Sequence, residues 1–151
     1  MSTLISRSVF PVVLAFSLLG CGAPGDPELT CDTTTSSATL ASSVQQQVIS
    51  PACATCHSAN YQYGDYTSAT ATAAATVNVK SLYAGTAGTL KVVEPGNLAN
   101  SALWLKVLGG TAKARTGPKG ENVFGAMPND GTTLSPTQKQ ALKDWICSGA
   151  K

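Results

Sequence analysis

The residues of this sequence best suited to chemistry lie in SPACATCHSANY, residues 50–61. Cys53 and Cys56 stand two residues apart, and His57 follows at once. On a helical turn this spacing points both sulfurs the same way and sets an imidazole beside them. Covalent haem attachment, a zinc corner, a redox dithiol and chance occurrence compete to explain such a run. In the first, the thiols add across the haem vinyl groups and the adjacent histidine lies under the iron as its proximal ligand. A structural zinc ion asks for four Cys or His ligands, and the chain has no second CxxC and no second histidine. A thioredoxin-type dithiol belongs in a βαβ setting, and no alternation of strands and helices is legible. In an exported chain, CxxCH is first of all a c-type haem site.

Export is itself legible. Arg7 precedes the apolar run VFPVVLAFSLLG, residues 9–20, which is interrupted by Pro11 and Ser17. A membrane-spanning helix needs about 20 apolar residues, so residues 1–20 fit a signal peptide. The run ends in LLGC, Leu18 to Cys21, which resembles the lipobox of bacterial lipoproteins. That resemblance implies acylation of Cys21 and a protein in the periplasm or cell envelope, anchored to a bacterial membrane by lipid. Ordinary cleavage near Gly22 or Ala23 is the alternative. GAPGDPELT then reads as a tether within residues 21–36, leaving 37–151 as one domain. Only 12% of residues are charged and the net charge is +2, which speaks against a nucleic-acid partner.

Five cysteines are present. With Cys21 assigned to lipid and Cys53 and Cys56 to the motif, Cys31 and Cys147 remain. An even remainder in an oxidising compartment suggests a disulfide between them, two free thiols being the alternative.

The composition also narrows the axial ligands of an iron. His57 is the one histidine and, once Met1 leaves with the signal, Met127 is the one methionine. Bis-histidine ligation within the chain is therefore impossible, and Met127 in the loop FGAMPNDG, residues 124–131, is the leading sixth ligand. A thioether there favours ferrous iron. The alternative is a Met127 that fills a core gap, the iron staying open or taking water or lysine.

The elements that must position these groups read as helices. Leu40, Val44, Val48 and Ile49 follow a helical period, with Pro51 ending the element or opening the CxxCH turn. YTSATATAAATVNV suggests a short helix, and NSALWLKVLGG another that stops at Gly109. LSPTQKQALKDWICSGA has Ser135 as N-cap, Pro136 at the first helical position and an apolar face of Leu142, Trp145 and Ile146. No strand signal competes, so the expected fold class is all-α, with short helices and long loops.

Together these segments resemble a class I cytochrome c domain. The resemblance is carried by ISPACATCHSAN, YGDYTSATATA, VVEPGNLANSALWLKVLGG, GAMPND and LSPTQKQALKDWICSGA, over most of residues 48–150. It implies a cytochrome c-like fold wrapped on one covalent haem c, with thioethers at Cys53 and Cys56 and with His57 and Met127 on the iron. It also implies that the first and last helices cross near Trp145, that Pro95 offers its carbonyl to the His57 ring, and that Trp104 and Tyr83 line the haem pocket, ordinary core packing being the alternative for the last two. The loop TAKARTGPKGENVF departs from a minimal domain of this kind, and so does the Cys31–Cys147 pair.

The implied function is electron transfer rather than enzymatic catalysis, by a monomer exchanging single electrons with redox partner proteins. Two other classes remain open: a haem protein with an open sixth site, peroxidase-like or gas-sensing, and a haem-free envelope lipoprotein.

Overall fold

The computed structural model describes residues 28–32, 38–84, 88–108 and 125–151. The signal segment, Cys21, the tether apart from residues 28–32, Gly109 and the basic loop from 111 to 124 lie outside the described residues. Those described are helical, and no strand forms among them. None of their helices is long and apolar enough to cross a membrane.

Helix α1 spans Leu40–Ile49 and is wound in the wide i→i+5 pattern of a π-helix, carried on by an α-helical turn, Ser50–Ala52. Leu40, Val44, Val48 and Ile49 all face the core. Pro51 does not end the helix as its chemistry suggests. It has no N–H for the Gln47 carbonyl four residues earlier, and Gln138 Nε2 donates to that oxygen instead, at 2.8 Å.

Helix α2, Ala69–Thr76, is capped by Ser68, whose hydroxyl accepts from the Ala71 N–H at 3.2 Å. Helix α3 is Ala102–Leu108. Helix α4, Pro136–Cys147, opens on a capping box in which Ser135 and Gln138 satisfy each other's backbone N–H groups. An Asp-x-Thr turn precedes each capped helix: Asp65 accepts from the Thr67 hydroxyl and N–H, and Asp130 does the same for Thr132. These bonds hold both carboxyls below their ordinary range.

The most extensive helix packing joins α1 to α4. Trp145 and Ile146 are fully buried there with Val44, Val48 and Ile49. Each such aliphatic side chain contributes about 1.5–3 kcal/mol when fully buried. The chain end ties the pair together, since the Lys151 carbonyl accepts from the Leu40 N–H at 2.9 Å and from Trp145 Nε1 at 3.2 Å.

Between α2 and α3 the described residues make isolated bridges, a 3-10 turn at Leu82–Ala84 and several tight turns. In one of them Pro95 and Gly96 are the central residues, Asn97 N–H donates to the Glu94 carbonyl at 3.0 Å, and Gly96 has φ +75°. That is the geometry of a type II turn, which needs glycine in the third position.

Cys31 and Cys147 form a disulfide with Cα atoms 5.4 Å apart, fastening the segment before α1 to the end of α4. The same segment is held by Lys143 on Asp32 at 3.3 Å and by Trp104 Nε1 on the Glu28 carbonyl at 2.7 Å. The bridge closes a loop of 116 residues. Replacing both cysteines by serine is expected to cost about 2–5 kcal/mol of unfolding free energy, read from urea midpoints; an unchanged midpoint would contradict this account of the strap.

Candidate functional site

The CxxCH run leaves α1 without a break in hydrogen bonding. The Ile49 carbonyl accepts from the N–H groups of both Cys53 and Ala54 at 2.9 Å, and the Cys53 carbonyl accepts from His57 N–H at 2.9 Å. The loop then folds back, and Tyr66 N–H donates to the His57 carbonyl at 2.9 Å. The position of His57 is thus set by the core end of α1.

His57 and Cys53 line a cavity of about 550 Å³, within the range of about 300–1,000 Å³ common for small-molecule and cofactor sites. Met127 lines the same cavity, as do Val92, Leu103, Val107 and Tyr83. The structure therefore brings together the histidine, one of the two motif thiols and the methionine singled out in the sequence. Cys56 is exposed and is not among the lining residues. Both motif cysteines are free thiols. Among the described residues, no carboxylate lines the cavity. Among the described residues no three His, Cys, Asp or Glu side chains cluster as a metal site.

Large apolar side chains left exposed among the described residues are Tyr61, Tyr63, Val79 and Leu82, and every one of them borders this cavity. Burial pushes the Cys53 thiol up from an ordinary 9.0 to about 11, with a further contribution from Cys56. Burial likewise raises the Tyr66 phenol to about 12, helped by Cys53. The His57 imidazole is lowered by burial and by the charge of Lys106, while the backbone at Gly64 and Tyr63 acts the other way. Its Nδ1 atom is buried and has no hydrogen-bond partner.

The structure places two of the expected residues away from the cavity. Pro95 is not the acceptor for the His57 ring, because Nδ1 has none and Pro95 does not line the cavity. The Pro95–Gly96 turn instead abuts α4, with Gly96 N–H donating to the Ile146 carbonyl at 2.7 Å. Trp104 lies off the cavity too. Its indole N–H bonds to Glu28, and it lines a separate cleft of about 230 Å³ with Leu108 and Lys143. The faces of α3 explain this: Ala102, Leu103, Lys106 and Val107 line the cavity, whereas Trp104 does not.

Lys106 went unnoticed in the sequence. Its carbonyl accepts from Met127 N–H at 3.2 Å, its ammonium donates to the Gly125 carbonyl at 3.0 Å, and it stands 4.7 Å over the Tyr83 ring. Burial lowers its pKa. The one signal for it was a lone cation inside the apolar helix ALWLKVL.

Compared with known proteins, the chain matches no family model, no curated protein and no solved structure.

Differences in thiol reactivity test the local geometry. In the chain with nothing attached, iodoacetamide at pH 8 should label Cys56 first. Cys53 should react far more slowly, since a rise from 9.0 to about 11 leaves it about a hundredfold less thiolate than an ordinary cysteine. Equal labelling rates would mean that Cys53 is not buried beside the cavity.

Proposed function

We propose that the chain is an exported mono-haem c-type cytochrome that carries single electrons. The observation that carries this reading is the convergence of His57, Cys53 and Met127 on one apolar-walled cavity. When bound, the haem supplies a one-electron ferric/ferrous couple. Cys53 and Cys56 are the residues to hold it through thioethers, and His57 and Met127 are the axial ligands.

The donor set suits that group and little else. One imidazole with a buried, unpartnered nitrogen, two thiols on the adjoining turn and one thioether match an iron porphyrin fixed at its edge. Val92, Leu103 and Val107 keep water from the cavity wall, which lowers the local dielectric around the ligands. The all-α architecture of short helices is compatible with a cytochrome c-like fold. Lipid on Cys21 would hold the protein at the envelope membrane, and the partners are redox proteins.

A haem with an open sixth position is the second reading, favoured by one observation. Met127 is only half-buried, and its segment meets α3 through the bonds made by Lys106. Acid–base catalysis on that side would need a positioned proton donor; among the described residues lining the cavity that could be Lys106 or a tyrosine, since none is a carboxylate or a second histidine.

Expressed with the haem-attachment machinery, the chain should gain the mass of one haem. The dithionite-reduced protein should show sharp α and β bands indifferent to carbon monoxide, and Met127→Ala should let the gas shift the Soret band. A colourless product of unshifted mass would overturn the proposal. A wild-type Soret band that moves with the gas would give the open-site reading precedence.

A further inference from the structure

An imidazole that ligates a metal is usually oriented by a hydrogen bond from its other nitrogen. Nδ1 of His57 is buried and makes no well-formed hydrogen bond, although the neighbouring Gly64 and Tyr63 backbone raises the pKa of the ring. The ring is nevertheless placed, because Tyr66 lies flat against it, with centroids 4.4 Å apart and planes 5° from parallel. Tyr61 meets the imidazole edge-on at 5.0 Å.

Tyr66 is itself held on several sides. Its N–H bonds to the His57 carbonyl, so the two residues are joined through backbone as well as through rings. Its carbonyl accepts from Gln45 Nε2 at 2.9 Å, and Gln45 Oε1 accepts from Thr72 Oγ1 at 2.9 Å, both bonds being buried. Gln45 belongs to α1 and Thr72 to α2, so two helices fix the backbone that carries the ring. Gly64 completes the cradle. It has φ +113°, and a Cβ there would stand 2.9 Å from Tyr66 Cε1 and 3.2 Å from Ala75 Cβ. The close approach admits only glycine while the Tyr66 ring keeps its place.

We infer that Tyr66 is the positioning residue for His57, setting the plane of the imidazole by ring stacking where a hydrogen bond from Nδ1 would otherwise do so. The inference rests on the haem reading above. The phenol oxygen has no part in it, so Tyr66→Phe should preserve the arrangement and Tyr66→Leu should remove it. With Leu at that position only Tyr61 and the loop restrain rotation about χ2, a broad torsion for an imidazole.

The test uses the haem-loaded, full-length protein. In the diamagnetic ferrous state, nuclear Overhauser contacts are expected between the ring protons of His57 and those of Tyr66. This measurement needs no variant, so it stands even if a substitution prevents folding. In the ferric state, Tyr66→Phe should keep the wild-type electron paramagnetic resonance g-values, whereas Tyr66→Leu should shift or broaden them. Absent Overhauser contacts, or a folded, loaded Tyr66→Leu with wild-type g-values, would overturn the inference and leave the haem reading intact. A wild-type chain that gains no haem sinks that reading first and the inference with it.

Discussion

Packing of α1 against α4 is the constraint on which the rest of the molecule depends. Trp145 and Ile146 are buried against Val44, Val48 and Ile49, and Ile49 is also the residue whose carbonyl launches the CxxCH turn. The position of His57 is therefore inherited from the core rather than from its own loop. Helices of seven or eight residues, such as α2 and α3, are too short to persist alone. They gain their order by closing on this pair. The disulfide at Cys147 secures the far end of α4, so that one element is tied both to the segment before α1 and to α1 itself.

How the cavity's walls are shared follows from that frame. α1 delivers Cys53 and His57, α3 delivers Leu103, Lys106 and Val107, and the Met127 segment is attached to α3. Ala75 of α2, the Tyr61–Tyr66 loop, Val79 to Tyr83 and Val92 also line it. Apolar side chains that would meet one another in a simple helical bundle here face a shared space. The buried Gln45–Thr72 pair shows that such a thin core also spends polar contacts on precision. Gln45 Nε2 donates to the Tyr66 carbonyl and to Ser50, and Gln45 Oε1 accepts from Thr72, which avoids the cost of about 1–3 kcal/mol for an unpaired buried group.

Much of this was legible in the sequence for identifiable reasons. Ser135, Pro136 and Gln138 announce the start of α4 because capping is local chemistry, and the four-residue spacing of Leu40, Val44 and Val48 announces α1. The Cys31–Cys147 pairing was suggested by counting, once the other three cysteines had been assigned to expected roles, and the structure joins the two. Orientation was not legible where pattern is silent. In α3, Ala102, Leu103, Trp104, Leu105 and Val107 are all buried, so no polar face distinguishes the side toward the cavity from the side toward Glu28. Trp104 could be assigned to either. Tyr66, Gly64 and Gln45 escaped notice for a different reason: their importance lies in contacts with residues that a linear reading does not bring together. Gly64 between Tyr63 and Asp65 looks like any loop glycine until a tyrosine ring is found against it.

The two ligand candidates are held in unlike ways, and the difference is physical. His57 is fixed by backbone bonds continuous with α1, by a stacked ring and by a buried polar chain anchored in two helices. Met127 is half-buried, its N–H bonds to α3 at Lys106, and the Lys106 ammonium reaches Gly125 through an exposed bond. Exposed contacts of this kind contribute little individually and weaken with salt, whereas buried and cooperative ones open only with the core. Motion at the cavity should therefore begin on the Met127 side while the His57 side stays in place. On the haem reading proposed above, this asymmetry would make the methionine the exchangeable ligand and the histidine the permanent one. It ties the choice between a closed carrier and an open haem site to the strength of the Lys106 clamp rather than to the CxxCH motif, which both share.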